Sequence, residues 1–283
     1  DVWDGMNRVE GPTGFEVLQI DMDAYTNSMG GNYWKTGVNA INFNPAEIVN
    51  SEEDDRKMEL IFTHRTLAGG ISTDYIGFSR NMYGGALGIS ILGMFSGDME
   101  LYDEIPGDPL GSYSSENLIA GLTYARRFSG FNLGATVRFL HERIFTDAYS
   151  TYSFDLGMSR LYSLSESKKF RFDIAFLHLG PKYHPEEFRL PTTWHAGVKS
   201  RWDSFSGGLS INKPLNTEIQ YTLGAEYSFN WFSLRAGKKF NNPLESFSAG
   251  FGITRNRFSL DYSFSPTDNG YEGSHIFTVM MDI

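Results

Sequence analysis

The 283 residues include no cysteine, which excludes a disulfide framework, a thiolate metal site and a lipid-anchored N-terminal cysteine. A formal net charge of −10, a pI near 5.1 and the lack of any basic stripe exclude a nucleic-acid partner. Aromatics make up 15% of the chain, yet the mean hydropathy is −0.31, and the longest nearly continuous apolar run, Ala86 to Phe95, is too short for the ~20 residues of a membrane helix. A membrane β-barrel escapes that length requirement, because only every second residue faces lipid.

In chain order, the first segment is irregular. Asp1 opens in polar sequence, so an export signal is expected upstream of it. Residues 1–56 mix Gly, Asn, Asp and short apolar patches, including Gly30-Gly31 and Asn44-Pro45-Ala46. Pro45 fixes its own φ and pushes Asn44 into an extended conformation. Asn side chains satisfy irregular backbone locally, and the glycines allow positive φ or close approach. This chemistry suits a hatch packed inside a barrel, where backbone groups need internal partners; a surface turn is the plainer alternative. The acidic run Ser51 to Arg56 reads as a solvated linker, which divides the chain into a hatch (1–56) and a transmembrane barrel (57–283).

From Lys57 onward the residues alternate with period two. Leu133, Ala135 and Val137 interleave with Gly134, Thr136 and Arg138, and Leu260 and Tyr262 with Ser259 and Asp261, so each run builds one apolar and one polar wall. About fourteen strands are predicted, near 57–66, 69–81, 84–96, 114–128, 131–144, 148–164, 169–180, 190–203, 205–212, 217–229, 231–240, 244–254, 256–265 and 273–283. A β-sandwich would also alternate. The short turns decide for an antiparallel barrel, because Phe128, Phe131, Trp202, Phe205, Phe229, Trp231 and Phe258 crowd them. Such rings settle at the headgroup level of a membrane. Long connections at Gly97–Tyr113, Pro181–Arg189 and Ser265–Glu272 fall after odd-numbered strands, which predicts a bacterial outer-membrane barrel with periplasmic termini and extracellular long loops.

The polar wall should carry Arg138, Asp155, Asp173, Lys199, Arg201, Glu226, Arg235, Lys239 and Asp261 into the lumen. Fourteen strands enclose more space than wall side chains fill, since about eight is the packed case, and the hatch is the expected filler. Salt bridges between wall and hatch are favoured over a conductive pore. In the loop Gly97–Tyr113, Tyr102, Ile105 and Leu110 are the expected partner anchors.

The order and spacing of several short motifs resemble the long-chain fatty-acid transporter superfamily of outer-membrane barrels, and within it the PorV/PorQ-like branch associated with type IX secretion. The likeness runs through Gly30-Gly31, Asn44-Pro45-Ala46, Gly84 to Ser90, Leu122 to Arg127, Leu133 to Arg138, Asp155 to Gly157 and Leu223 to Tyr227, and covers most of the chain. It departs at Glu47-Ile48, where the family usually has Gly-Leu. The resemblance implies a non-enzymatic barrel that docks other secretion or surface proteins. The parent superfamily implies a second reading, a hatch-gated route for hydrophobic small molecules such as fatty acids through a lateral opening. A purely structural barrel is a third.

No motif for catalysis, metal or cofactor competes with these readings. The six histidines show no metal-ligand spacing, and His178 and His184 read as solvated or satisfied imidazoles of an outer loop. The carboxylates Asp98, Glu100, Asp103, Glu104 and Asp108 match no EF-hand and read as a solvated loop. Outer-membrane lipid is the expected surrounding partner.

Overall fold

Period-two alternation is the local rule that the wall follows throughout. The computed structural model describes residues 13–49, 58–82, 84–97, 99–101, 108–183, 188–215, 217–242, 245–267 and 272–283. Its strands are β1 (Met58–Thr66), β2 (Ser72–Met82), β3 (Gly85–Phe95), β4 (Met99–Leu101), β5 (Gly111–Tyr113), β6 (Ser115–Phe128), β7 (Phe131–Ile144) and β8 (Asp147–Ser163). They continue with β9 (Lys168–Leu179), β10 (Thr193–Trp202), β11 (Phe205–Pro214), β12 (Gln220–Phe229), β13 (Phe232–Phe240), β14 (Phe247–Arg255), β15 (Phe258–Ser265) and β16 (Ser274–Asp282). Fourteen of them form a closed antiparallel barrel in which β3 pairs with β6 and β16 returns to β1. Closure leaves no strand edge with unpaired N–H and C=O groups, the condition for crossing a hydrocarbon layer with strands.

The two faces exclude a sandwich. In a soluble sandwich the apolar face is buried and the polar face wet. Here Leu133, Val137, Leu260 and Val279 are exposed on the outside, while Thr136, Ser259 and Asp261 on the opposite face are buried. Phe251 joins the outer face, stacked on Phe232 at 6.2 Å. The rings Phe128, Trp202, Phe205, Phe229, Trp231 and Phe258 are exposed at the short turns, which favours a membrane–water boundary at that end. Asp203, Asn230 and Asn256 take positive φ there, as tight hairpin turns require.

One detail differs from the sequence reading. The stretch Gly97–Tyr113 holds more than a loop, since β4 and β5 pair as a two-stranded ribbon within it. Of its expected anchors, Leu110 is 67% exposed, whereas Tyr102 and Ile105, with Asp98, Asp103 and Glu104, lie outside the described residues. β7 and β8 are joined at the long-loop end by only Phe145 and Thr146, the short connection that the predicted strands leave there.

The segment 13–49 holds one α-turn, α1 (Ala24–Ser28), and short 3-10 turns at Glu16–Gln19, Gly37–Ala40 and Pro45–Ile48. Asp23 caps α1, accepting from Thr26 N at 2.9 Å. Asn44 caps the last turn, accepting from Ala46 N at 3.0 Å, with Pro45 at its first position. The buried apolar cluster is shared: Val17, Tyr25, Tyr33, Ile41 and Ile48 from this segment pack with Ile61, Tyr75, Leu92, Ile119 and Leu140 of the inward wall.

The register makes a direct prediction. Cysteine at Val137 should react with a bilayer-soluble maleimide and cysteine at Thr136 should not, because adjacent residues point to opposite faces. Val137→Arg should lower barrel stability by about 2–4 kcal/mol in a denaturant titration from lipid vesicles.

Candidate functional site

The inward wall is built to receive residues 13–49. Gly208, Gly224 and Gly237 lie side by side on β11, β12 and β13. A Cβ on Gly224 or Gly237 would run into the backbone of Met29 and Gly30, and one on Gly208 would meet Asn32. Gly30 itself takes φ +64°, which a side chain would resist. A second ledge pairs Gly134 of β7 with Gly157 of β8. There the obstructing atoms belong to Asn44, Pro45 and Ala46. The two short motifs of the N-terminal segment thus rest on two glycine ledges of the wall.

Three asparagines link segment to wall. Asn27 Oδ1 accepts from Ser263 at 2.7 Å and Ser265 at 2.8 Å, and its Nδ2 donates to Glu245 at 3.1 Å. Asn32 Nδ2 donates to Thr222 at 2.9 Å, and its Oδ1 accepts from Ser210 at 3.1 Å. Asn44 Nδ2 donates to the Ile174 carbonyl at 3.2 Å. Each asparagine is fully buried, so these bonds replace water that cannot reach it.

Charges are compensated in groups. Arg235 bonds Glu226 at 2.6 Å and Asp261 at 2.7 Å, with its guanidinium 4.5 Å from the Tyr25 ring centre. Lys199 bonds Asp173 at 2.7 Å and lies 3.6 Å from the Tyr33 ring centre. Arg138 pairs with Asp155 and donates to the Ile41 carbonyl at 3.3 Å. Lys239 bonds Asp21 at 2.6 Å and approaches Glu245 at 3.7 Å, while Arg65 pairs with Glu245 and donates to the Asp21 carbonyl at 3.0 Å. Arg171 ion-pairs with Glu47 at 2.8 Å and donates to the Trp34 carbonyl at 2.9 Å.

Most of the expected inward charges, Arg138, Asp155, Asp173, Lys199, Glu226, Arg235, Lys239 and Asp261, are buried on that face. Arg201 differs. It has inward parity but is exposed, because it stands on β10 one residue before the strand ends and lines an open, charged mouth of about 450 Å³ with Lys169 and Asp203. His178 also departs from the reading, lying within β9 rather than in a loop. It is buried at φ +61°, where the β8–β9 register shifts between Phe154 and Leu156. Its N–H donates to the side chain of Asp155 on β8 at 2.8 Å. His184 lies outside the described residues. The partners Asp21, Glu47 and Arg65 escaped the sequence reading, as did Glu59, which accepts from Val38 N at 2.7 Å; the only available signal for Glu59 and Arg65 was their polar parity in β1.

At the long-loop end is a cavity of about 920 Å³. Val17, Leu18, Ile20 and Phe43 form one side, and Leu67, Ile71, Met94 and Leu177 another. Arg65, Lys239, Asp21 and Glu245 line its polar part, and they are the mutually paired group just described. The cavity reaches the wall at Leu177 and His178, where the register shift lies. Among the described residues no group of His, Asp and Glu is arranged to hold a metal ion.

Two variants test this packing. Gly237→Leu should drive Met29 and Gly30 off the wall and raise protease cleavage within 13–49 while the barrel stays heat-resistant. Arg235→Ala should cost about 3–5 kcal/mol of unfolding free energy, because Glu226 would stay buried without its cation and Asp261 would keep only Lys35, 3.5 Å away.

No family model matches the chain, and no curated protein is similar to it in sequence. Solved structures do share its fold. The toluene transporter TodX of Pseudomonas putida superimposes with a TM-score of 0.65 at 12% identity, covering 98% of this chain and 99% of that one. The toluene transporter TbuX of Ralstonia pickettii gives 0.62 at 12% identity, over 92% and 97% of the two chains. The monoaromatic hydrocarbon channel CymD gives 0.59 at 13% identity, over 92% and 96%.

Proposed function

We propose that this chain is a non-enzymatic outer-membrane barrel that admits neutral hydrophobic small molecules through the cavity at its long-loop end. In this reading residues 1–56 are a plug in the lumen, the termini are periplasmic and the long loops extracellular. The observation that carries it is the cavity itself, an apolar chamber of about 920 Å³ whose two cations, Arg65 and Lys239, are already paired. A pocket of this kind rewards apolar ligands and offers no free cation for a carboxylate. Neutral hydrocarbons therefore fit better than fatty acids. The named substrates of TodX, TbuX and CymD belong to the same chemical class, although identities of 12–13% tie those proteins to this one by fold alone.

Plugging is supported by contacts all round the ring. Segment 13–49 bonds to residues of β1, β9, β12, β15 and β16 and rests on the ledges of β7–β8 and β11–β13. Passage needs either movement of this segment or an exit through the wall. The β8–β9 irregularity at His178 is the favoured exit, since backbone pairing is already interrupted beside the cavity.

Docking of secretion or surface proteins, the PorV/PorQ-like role, is the second reading. Exposed Leu110 beside the β4–β5 ribbon favours it. The structural neighbours favour transport. Tyr102→Ala with Leu110→Ala should leave co-purifying proteins unchanged under the transport reading and deplete them under the docking one.

Calorimetric titration of the detergent-purified barrel separates the ligand classes. Toluene should bind and benzoate should not. Ile20→Trp, which fills the cavity from residues 13–49, should weaken toluene binding by about tenfold, equivalent to ~1.4 kcal/mol. Equal binding of benzoate, or no effect of Ile20→Trp, would sink the proposal.

A further inference from the structure

The outer surface of the barrel carries a second feature, unrelated to passage through the lumen. On the strands, five basic side chains share the outward parity close to the short-turn end: Arg80 of β2, Arg126 of β6, Arg160 of β8, Lys168 of β9 and Arg255 of β14. Their cross-strand neighbours confirm the face. Arg126 lies opposite Leu133, Lys168 opposite Trp202 and Arg255 opposite Phe258, all exposed rings or aliphatics. Among the described strand residues of that end, no Asp or Glu points outward. Glu59, Glu166, Asp203 and Asp282 instead line the mouth of the lumen. A chain of net charge −10 thus presents an all-positive belt to its surroundings at one level.

One member of the belt differs from the rest. Arg160 is held between two rings, its guanidinium 4.7 Å from the Phe131 centre and 4.8 Å from the Tyr162 centre. Stacking of this kind fixes the plane of the guanidinium and leaves its N–H edge free for a bidentate acceptor. Arg160 also lies at one edge of a groove of about 600 Å³ on the outer wall. Along the groove, pairing sets Met158 beside Ile174, Ile174 beside Ala196 and Ala196 beside Ile211. Ala196 is the small residue in that row, so it makes the trough between larger neighbours. An apolar trough ending at an oriented guanidinium matches a molecule with an acyl chain and a phosphate.

We propose that this face is a specific site for one anionic glycerophospholipid, its phosphate on Arg160 and an acyl chain along the trough over Ala196. The occupant is a lipid of the surrounding leaflet and not a protein, because the trough opens on the outward face and the neighbouring cations repeat around the barrel at headgroup depth. The remaining belt residues attract anionic headgroups without selecting one molecule. Planar pairing of guanidinium with phosphate supplies the selection. The inference holds whatever passes the lumen.

Native mass spectrometry of the purified, delipidated barrel tests it, with dioleoylphosphatidylglycerol and dioleoylglycerol as the added probes. The wild-type barrel should retain one phosphatidylglycerol and no dioleoylglycerol. Arg160→Gln and Ala196→Phe should each reduce that retention at least fivefold, the first by removing the phosphate contact and the second by filling the trough. Arg255→Gln, on the same belt but six strands away, should retain lipid as the wild type does. Retention unchanged in both Arg160→Gln and Ala196→Phe would overturn the site. So would equal loss in Arg255→Gln, which would reduce the belt to unspecific attraction, or equal retention of dioleoylglycerol, which would remove the phosphate from recognition. Each variant must run as a folded, heat-resistant barrel for its retention to be read, and Phe131→Leu, which removes one stacking ring, supplies a milder second variant expected to weaken retention in the same direction.

Discussion

Backbone hydrogen bonding in an apolar surround is the constraint on which the rest of this structure depends. A strand crossing hydrocarbon must pair both edges, so the sheet has to close, and β16 meeting β1 achieves that. Closure at fourteen strands then creates a second requirement, because the ring is wider than its own side chains can fill. The inward residues answer with glycine ledges, buried hydroxyls and charges, all directed at a segment that supplies matching asparagines, carbonyls and rings. Wall and segment are therefore complementary surfaces. Many of their buried polar groups are satisfied by one another.

The charge arrangement shows how that complementarity is kept tolerable. Arg235 is flanked by two carboxylates and a tyrosine face, and Lys199 by a carboxylate and a tyrosine face. Buried ion pairs contribute little net stability compared with apolar packing, but they penalise any arrangement that separates them. Lys239 with Asp21 and Arg171 with Glu47 apply the same penalty between wall and segment 13–49, which is thereby held in one position. The same logic extends to the cavity. Lys239, Arg65, Asp21 and Glu245 neutralise one another beside an apolar chamber, so neither cation is left for an anionic ligand.

The bulge at His178 combines several of these effects. A left-handed φ interrupts the β8–β9 ladder, and the side chain of Asp155 on β8, already paired with Arg138, accepts the His178 N–H. The register shift in the wall thus lies beside the 920 Å³ cavity. That coincidence is the physical basis for placing an exit there.

Much was legible in the sequence because a strand has a period of two and a membrane inverts the usual sense of it. Leu133 against Thr136, or Leu260 against Ser259, could be assigned to faces from spacing alone, and the ring-bearing turns distinguished a barrel from a sandwich. Strand number and antiparallel order followed from the same pattern. The ribbon within Gly97–Tyr113 was not legible, because β4 and β5 are three residues each and too short to show a period. Nor was the exposure of Arg201, whose parity is inward but whose position at the strand end leaves it in solvent. The pairing of the charges, the two glycine ledges and the cavity walls join residues far apart in the chain, such as Asp21 with Lys239 and Gly237 with Gly30. By itself the sequence determined the faces of the wall, since side-chain direction alternates locally; only the tertiary structure decided what those faces meet, since barrel closure sets which distant residues come into contact.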